Sequence, residues 1–373
     1  MIEVQEVKTR KQKNQFVDFP TKLYKDNEYY VHPLRIDEMA LFSPKKNINY
    51  DDCEIIFLLA YKDGKVAGRI CGVIQKLYNK KNNLKRARFT RFDTINDVEV
   101  AKALLTYVEN WAKEKGMTEV HGPLGFNDTE REGLLIEGFD QLATFEENYN
   151  FPYYKDLLEE CGYIKEIDYI GNKLYKPKEI NERLVRMEEV VKQRYKLNVV
   201  HEKSKKKFIE KYKQGIFDVL DDAYGDLYGV VPYTDKIRKS IIDQFNLVID
   251  LKWIVVVTNE NDEVICFGFA IPSLAEAVRA CKGKLFPTGL FKVLRAVKNP
   301  KVVDLGLVGI KKPYLNKGVT AIILNYIQQM FIKYDLEHVE TNHSLENNTK
   351  ILSQWDYFEH KNHKRFRCFV KGI

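Results

Sequence analysis

The residues whose types and spacing point most directly to chemistry are Lys317 and Gly318, in the run Leu-Asn-Lys-Gly-Val-Thr. A glycine leaves the backbone open to a ligand, and a neighbouring lysine supplies a positive point charge. When such a pair precedes a helix, unpaired N–H groups and the helix dipole add a site for an anion such as a phosphate. The ordinary alternative is a turn between a strand and a helix that binds nothing.

The flanking residues predict the elements that would position this pair. The apolar, β-branched run Val302–Ile310 is typical of a buried strand. From 320 to 334, apolar residues recur at spacings of three and four, which predicts a helix. A short strand at 338–344 and a further helix after Ser344 or Asn347 complete the region.

This order of strand, glycine loop, long helix, short strand and asparagine-bearing helix resembles the acyl-coenzyme A half of the GNAT superfamily of N-acetyltransferases. The family's loop reads Gln/Arg-x-x-Gly-x-Gly/Ala, and the run 315–320 keeps its central glycine, Gly318. The next helix of the family carries Asn-x-x-Ala and then a tyrosine. Here Asn348 and Ile351 take the first two places, and Trp355 stands where the tyrosine would be.

The resemblance implies that acetyl-CoA or another acyl-CoA is the co-substrate. In the family, the pantetheine arm bonds to a strand that splays from its neighbour, and the pyrophosphate binds the loop. Carried over to this sequence, the pantetheine would pair with Val308, Gly309 and Ile310, and Asn348 would lie at the thiol end. The pyrophosphate would be held by Lys317, Gly318, Val319 and Thr320.

Acyl transfer to an amine also requires a group that accepts a proton, because a protonated amine cannot attack a thioester. The candidates near the predicted site are carboxylates and one histidine: Asp304, Glu340, His343 and Glu346. Each of them could equally be a structural hydrogen-bonding residue. Trp355 cannot protonate the leaving thiolate, because an indole N–H does not ionise usefully.

Composition excludes several other classes of protein. The chain has 373 residues, 45% of them hydrophobic, and a net charge of +7 from 60 basic and 53 acidic residues. That excess is modest, so nucleic acid is not an expected partner. The six cysteines are scattered and the seven histidines lack metal-ligand spacing, so we expect no disulfides and no metal. No run is long enough to span a membrane, and a cytoplasmic location is expected.

The first half of the chain repeats the same order of elements but differs in its loop. The segment before the predicted helix 98–115 has no glycine and carries Asp93, Asp97 and Glu99. Acidic side chains at a helix N-terminus satisfy its dipole and would repel a pyrophosphate. We therefore expect a GNAT-like fold in this half that does not bind coenzyme A.

The stretch 121–163 contains His-Gly-Pro-Leu-Gly-Phe-Asn-Asp and an aromatic run around Pro152. With the Gly-Leu-Leu-Ile-Glu-Gly-Phe-Asp segment between them, these motifs resemble a group of bacterial two-domain GNAT-like proteins, over almost the whole chain. Rigid aromatic side chains with polar tips are common where ligands bind. We expect this stretch to help wall the acceptor pocket at the junction of the two domains, with Asn127, Tyr149 and Tyr153 contacting the substrate; the alternative is an interface that joins the domains.

The sequence thus predicts an α/β (α+β) protein of tandem GNAT-like domains, each a mixed, largely antiparallel twisted sheet flanked by helices. The predicted boundaries are a degenerate domain at 1–175, a linker helix at 176–195 and a donor-binding domain at 196–373. A basic amphipathic insertion at 272–301 could lie on a membrane or form a lid over the second sheet.

Three functions remain open from the sequence. The first is an acyl-CoA-dependent N-acyltransferase acting on a small-molecule or peptide amine. The second is a tandem-GNAT transferase whose donor is an aminoacyl-tRNA or an acyl carrier protein. The third is a non-catalytic protein that keeps the fold as a binding module. The acceptor and the oligomeric state are not predicted.

Overall fold

The structure is a computed structural model that describes residues 1–248 and 250–373. The chain forms two compact units. The N-terminal unit comprises Met1–Ile170, Leu274–Ala296 and His363–Ile373, and the C-terminal unit comprises Gly171–Ser273 and Val297–Asn362. The boundary between them therefore falls within two strands, which begin in one unit and end in the other.

The elements of the first half of the chain follow one another in a regular order of strands and helices. In chain order they are β1 (Ile2–Glu6), α1 (Arg10–Leu23), α2 (Arg35–Ala40), β2 (Cys53–Lys62), β3 (Lys65–Gln75), α3 (Lys76–Asn82), β4 (Arg86–Thr94), α4 (Val98–Glu114), β5 (Glu119–Gly122), β6 (Leu134–Glu137), α5 (Tyr154–Glu160) and β7 (Ile164–Tyr175).

The second half repeats much of this order. Its elements are α6 (Glu182–Tyr195), β8 (Asn198–Val199), α7 (Lys205–Tyr224), α8 (Asp235–Val248), β9 (Ile254–Thr258), β10 (Val264–Pro272), α9 (Ala275–Cys281), α10 (Gly289–Lys298), β11 (Val302–Ile310), α11 (Thr320–Lys333), β12 (His338–Glu340), β13 (Ser344–Leu345), α12 (Thr349–Leu352) and β14 (His360–Gly372).

In the N-terminal unit the sheet runs in the order β1-β2-β3-β4-β5-β14. Neighbouring strands are antiparallel except β4 and β5, which are parallel and joined by α4. The β2–β3 hairpin turns at Asp63 and Gly64, whose φ angles of 52° and 77° suit an Asp-Gly turn. Leu104 on α4 packs against Gly68 of β3, where a Cβ atom would lie 2.8 Å from the leucine side chain.

In the C-terminal unit the order is β8-β9-β10-β11-β12, followed by the end of β7. Here β11 and β12 are the parallel pair, and α11 connects them. Helix α6, the predicted linker, packs against α11, and its Leu184 and Val191 belong to this unit's core. Each unit is thus a mixed, largely antiparallel sheet flanked by helices, and the predicted fold class is confirmed.

The parallel pair separates at the same point in both units. Strands β4 and β5 pair only through Arg86–Arg88, and β11 and β12 only through three residues that end at Asp304 and Glu340. Beyond these points β4 and β11 each continue for six residues without the parallel neighbour. Each sheet therefore has an opening along one strand edge, where backbone groups can bond to something other than a strand.

The insertion belongs to the N-terminal unit from the start of α9 through Ala296 in α10. The N–H of Arg35 donates to the carbonyl of Gly283 at 3.0 Å, and a guanidinium nitrogen of Arg279 donates to the carbonyl of Glu28. Gly283, at φ +70°, lies so close to Pro33 that a Cβ atom would be 2.2 Å from its carbonyl oxygen. These contacts fix α9 to the segment 28–35.

Candidate active site

The loop before α11 has the backbone arrangement of an anion site. Among the described residues, no acceptor bonds to the N–H groups of Gly318, Val319 and Thr320, whereas those of Ala321 and Ile322 bond back to the loop's own carbonyls. Gly318 has a φ of +77°, a conformation that glycine adopts without strain. Three unsatisfied donors at one helix N-terminus can bind the oxygens of a phosphate.

The corresponding helix of the N-terminal unit begins with N–H groups that are mostly satisfied. Asp97 caps α4 by accepting from the N–H groups of Glu99 and Val100, at 3.0 and 3.4 Å, and it also pairs with Lys62. In contrast, Val319 at the N-cap of α11 makes no side-chain cap. The difference between the two loops supports the prediction that only the second accepts a pyrophosphate.

Lys317 is exposed, and its ammonium group lies over two tyrosine rings, 5.2 Å from the centre of Tyr195 and 5.1 Å from that of Tyr314. No carboxylate in the described part of the chain pairs with it. The rings hold the charge near the loop by cation–π attraction and leave its hydrogen-bond donors open. Lys317 can therefore meet an anion at the Gly318 turn.

The open edge of β11 is already in contact with a side chain. The hydroxyl of Tyr224, the last residue of α7, donates to the carbonyl of Val308 at 2.9 Å and accepts from its N–H at 3.1 Å. These are the backbone groups of Val308 that face away from β10. One phenol thus occupies the position that the resemblance assigns to an amide of pantetheine.

The three residues predicted to pair with pantetheine do not all face the opening. Backbone groups alternate along a strand, so those of Ile310 share the side of Val308, while those of Gly309 face β10, where Phe267 is its register partner. Gly309 instead allows α7 to approach, since a Cβ atom there would lie 2.8 Å from Val219. Of the three, Val308 and Ile310 are positioned to bind a ligand.

Two of the four candidate bases lie together where the parallel strands separate. Asp304 and Glu340 are register partners on β11 and β12, so their side chains emerge on the same face of the sheet. Glu340 is buried, with a carboxylate oxygen 3.6 Å from the ammonium of Lys173 and 3.4 Å from the ring of His338. The ammonium of Lys173 offsets the repulsion between the two carboxylates.

The other candidates lie in the segment that follows β12. His343 and Glu346 are half-buried on either side of β13. Asn348 caps α12 by accepting from the N–H of Ile351 at 3.4 Å, so its side chain has a structural role there. Trp355 is buried in the core of the C-terminal unit.

A shallow groove on α6 lies beside the loop that precedes α11. It has a volume of about 380 Å³ and is lined by Arg183, Arg186, Met187, Val190 and Val191. Val191 is also the residue that a Cβ atom at position 318 would approach to 3.1 Å. The groove therefore has apolar side chains and two arginines next to the turn at Gly318.

The N-terminal unit contains a cavity of about 240 Å³ at its own strand opening. The exposed edge of β4, from Thr90 to Asp93, forms one wall, and the segments 30–41 and 129–150 form the others. Arg91 stands at a bulge in β4 with a φ of +50°, a left-handed conformation that is rare for arginine. Strain of this kind is common where a side chain is aimed into a site.

Charged groups of both signs line this cavity and pair with one another. Glu38 accepts from Arg91 at 3.1 Å and from Arg69 at 3.4 Å, and Arg69 also donates to Asp93 at 2.7 Å. Burial by itself would raise the pKa of Glu38, but the two guanidinium groups hold it below its usual value. Arg91 donates in addition to Glu130 at 3.2 Å. The wall is thus an ordered ionic network that can orient a polar ligand.

Glu146 is a further carboxylate of the cavity wall, and it makes no ion pair among the described residues. The side chain of Glu146 is exposed to solvent, and its pKa is nevertheless raised, because the surrounding protein disfavours the charged form and Glu130 adds to this, while Arg131 acts in the opposite direction. A carboxylate with a raised pKa is suited to accept a proton from an ammonium group. Sequence reasoning missed this residue, because the cavity is built from segments that are distant in the sequence.

The residues predicted to contact the acceptor fall into two groups. Tyr149 lines the cavity, where its hydroxyl donates to the carbonyl of Phe139 at 2.9 Å. Tyr153 instead donates to the carbonyl of Thr94 at 2.8 Å and packs in the core, and Asn127 accepts from the N–H and hydroxyl of Thr129. Neither Tyr153 nor Asn127 lines the cavity.

Across residues 1–248 and 250–373, no group of three or more His, Cys, Asp and Glu side chains could hold a metal ion. No helix within the described ranges combines the length and the apolar character needed to cross a bilayer.

Comparisons with known sequences find two relatives of similar length, and no family model matches the chain. It is 25% identical to Protein YghO of Escherichia coli (strain K12) over 366 residues, which cover 96% of this chain and 92% of the relative. It is 28% identical to the bacterial ceramide synthase of Caulobacter vibrioides (strain NA1000 / CB15N) over 313 residues, covering 83% of this chain and 80% of the relative.

Solved structures resemble the chain over its full length. A tandem GNAT protein from the clavulanic acid biosynthesis pathway superposes with a TM-score of 0.55 and 11% identity, covering all of this chain and 98% of the other. A GCN5-related N-acetyltransferase from Sphaerobacter thermophilus gives a TM-score of 0.53 and 9% identity, with 95% of its chain covered. Likeness at such identities concerns the fold, and the chain has the tandem fold of the GNAT superfamily of N-acetyltransferases, as the sequence predicted.

Proposed function

We propose that this protein is an acyl-CoA-dependent N-acyltransferase whose C-terminal unit binds the donor. The observation that carries the proposal is the set of three unsatisfied N–H groups at Gly318, Val319 and Thr320, beside the ammonium of Lys317. The α4 helix of the N-terminal unit, which Asp97 caps, lacks such a set. The GNAT fold supports acyl transfer as the reaction.

The residues would act on the donor in three places. The Gly318 turn and Lys317 bind the pyrophosphate, and the groove on α6 accepts the adenosine end, with Arg183 and Arg186 near its phosphate. Val308 and Ile310 bond to the pantetheine along the open edge of β11. Asn348, which caps α12, stays the predicted residue at the thiol end.

In the reaction the amine nitrogen forms a bond to the thioester carbonyl carbon, and the carbon–sulfur bond then breaks. An acceptor that arrives as an ammonium ion loses two protons in all, one before its nitrogen attacks and one after the new bond forms, and the departing thiolate gains one from water. We propose that Asp304 and Glu340 receive the two protons, because they lie together where β11 and β12 separate. His343 and Glu346 remain alternatives on the next segment.

We propose the cavity of the N-terminal unit as the acceptor site, with Glu146 and Tyr149 at its wall. Carboxylates there would attract the ammonium group of an amine, and the Glu38–Arg91 network would orient other polar groups. The name of the Caulobacter relative, a ceramide synthase, favours a lipid amine over a peptide as the acceptor. The domain boundaries, the cytoplasmic location and the lack of a nucleic-acid partner remain predictions.

One observation favours the alternative of a non-catalytic binding protein, namely the hydroxyl of Tyr224 bonded to Val308. If that contact persists in solution with ligand present, pantetheine has no edge to bind. A donor carried by an acyl carrier protein would need the same edge for its pantetheine, whereas an aminoacyl-tRNA would not.

Titration calorimetry with acetyl-CoA and a long-chain acyl-CoA tests the proposal. We expect one site per chain in the wild type and a large loss of affinity in Lys317→Glu. Lys333→Glu is the matched control, since Lys333 is also exposed and lies 5.3 Å from the ring centre of Tyr334, but at the opposite end of α11. Two sites per chain, no binding, or equal loss in both variants would refute the assignment of the donor to this loop.

A further inference from the structure

Helix α10 and the turn before it carry large apolar side chains that face solvent. Phe286 is 76% exposed, Leu290 40%, Phe291 71% and Leu294 59%. We call these four residues, together with the cations around them, the α10 surface. Elsewhere, large exposed apolar residues such as Ile36 and Ile164 are far apart in the sequence.

The exposed residues are not needed to hold α10 in place. The helix has a second, inner side on which Gly289 is buried and Val293 and Ala296 are half-buried. On the preceding helix, Ala277 and Val278 are buried. The insertion is therefore packed without Phe291 and Leu294, whose side chains form an additional apolar face.

The cations of the α10 surface are exposed and lack acidic partners. No carboxylate of the described residues forms an ion pair with any of them. Other exposed lysines do form ion pairs: the ammonium of Lys176 lies 2.7 Å from a carboxylate oxygen of Asp335, and that of Lys312 lies 2.9 Å from one of Asp226. The only acidic residue in the described segment 274–298 is Glu276. The unpaired cations are Lys282, Lys284, Lys292, Arg295 and Lys298.

We propose that the α10 surface docks on an anionic membrane, with Phe286, Leu290, Phe291 and Leu294 entering the interface and the five cations contacting lipid phosphates. A helix that lies in a membrane interface combines an exposed apolar face with flanking Lys and Arg residues. Each basic residue near an anionic leaflet adds to the attraction. Arg295 follows Phe291 by four residues, so the two side chains lie on the same side of α10. Apolar and basic groups can therefore contact the same membrane surface.

Docking would bring the cavity of the N-terminal unit close to the lipid. The turn after α9 is fixed to the segment 28–35 through Gly283 and Arg279, and Pro33 and Leu34 of that segment line the cavity. A ligand that reaches the cavity along this wall could come directly from the bilayer. The docking itself does not depend on the proposed acyl transfer.

Co-sedimentation with phosphatidylglycerol vesicles and with phosphatidylcholine vesicles, without any acyl-CoA, tests the proposal. We expect wild-type protein to bind the anionic vesicles and to be released by salt. Arg295→Glu with Lys298→Glu should lower the partition coefficient by at least roughly 25-fold, which is about fivefold for each positive charge lost; repulsion of the two new carboxylates adds to the loss. Phe291→Ser with Leu294→Ser should lower it by about tenfold or more.

Matched controls separate this surface from general effects. Lys80→Glu with Lys85→Glu changes the net charge equally, and Ile164→Ser with Ile332→Ser removes exposed apolar area elsewhere; both should bind as wild type does. The proposal is overturned if neither vesicle binds, if both bind equally, or if the controls lose as much affinity. Sedimentation velocity gives a further test. If the wild type is a dimer and only the variant with Phe291→Ser and Leu294→Ser is a monomer, the apolar face binds a second copy of the chain and not a membrane.

Discussion

Replacement of Tyr224 by phenylalanine should tighten the binding of coenzyme A. The Tyr224 hydroxyl makes two hydrogen bonds to the backbone of Val308, at 2.9 and 3.1 Å. Pantetheine can bond to Val308 only after these are broken, so the free protein loses them on binding. Tyr224→Phe removes them from the free state and leaves the ligand's own contacts intact.

The magnitude follows from the two bonds. A typical hydrogen bond contributes about 0.5–1.5 kcal/mol net, so their loss should favour the complex by about 1–3 kcal/mol. This corresponds to a dissociation constant about 5- to 140-fold lower, at 1.4 kcal/mol per factor of ten. The free protein should become less stable by a similar amount.

Calorimetric titration of both proteins with coenzyme A, and urea unfolding without ligand, measure these two effects. Tyr326→Phe is the control, since its hydroxyl donates to the carbonyl of Lys252 at 2.7 Å, away from the edge of β11. It should lower stability and leave coenzyme A affinity unchanged. Unchanged or weaker binding by Tyr224→Phe would show that the pantetheine does not use this edge.

Three further outcomes are expected. Gly318→Ala should weaken coenzyme A binding and lower stability by about 1 kcal/mol, because Gly318 has a φ of +77° and the added methyl group would lie 3.1 Å from Val191. If calorimetry shows the same affinity as for the wild type, the loop does not bind the pyrophosphate. Glu146→Gln should reduce turnover in a steady-state assay with an amine acceptor while the melting temperature stays near wild type, and a lower melting temperature with normal turnover would make the residue structural. Stability should fall as pH decreases from about 6.5 to 4, because burial, the largest cause, lowers the pKa of both His32 and His121 to about 4 and the unfolded chain therefore binds more protons in this window. In His32→Phe the midpoint of urea unfolding should depend less on pH than in the wild type, and an unchanged dependence would contradict this.

The fold could be predicted from the sequence because its signals are local. The Asp63-Gly64 turn, the periodicity of α4 and α11 and the run Val302–Ile310 each specify one element. The contrast between Asp97 and the Gly318 loop was also readable, since a helix cap involves adjacent residues.

The side chains that lie at the gap between the parallel strands of each unit could not be predicted in the same way. Tyr224 meets Val308 across 84 positions, and Arg69 meets Glu38 and Asp93 across 31 and 24. Tyr153 was expected at the substrate because it is aromatic, yet its hydroxyl bonds to Thr94 in the core. Such pairings depend on tertiary packing, and no spacing in the sequence encodes them.

The last strand has a consequence for how the chain is made. Residues 365–372 of β14 pair with β5 and β6, so the sheet of the N-terminal unit is completed by residues that are synthesised only after those of the C-terminal unit. Until then Phe366 and Phe369, fully buried in the finished protein, are absent from its core and the edge of β5 is unpaired. Domains that form during synthesis usually fold in order from the N-terminus. Here the first unit must wait for the second, and a chain stopped anywhere before position 363 exposes an open strand edge to other nascent chains.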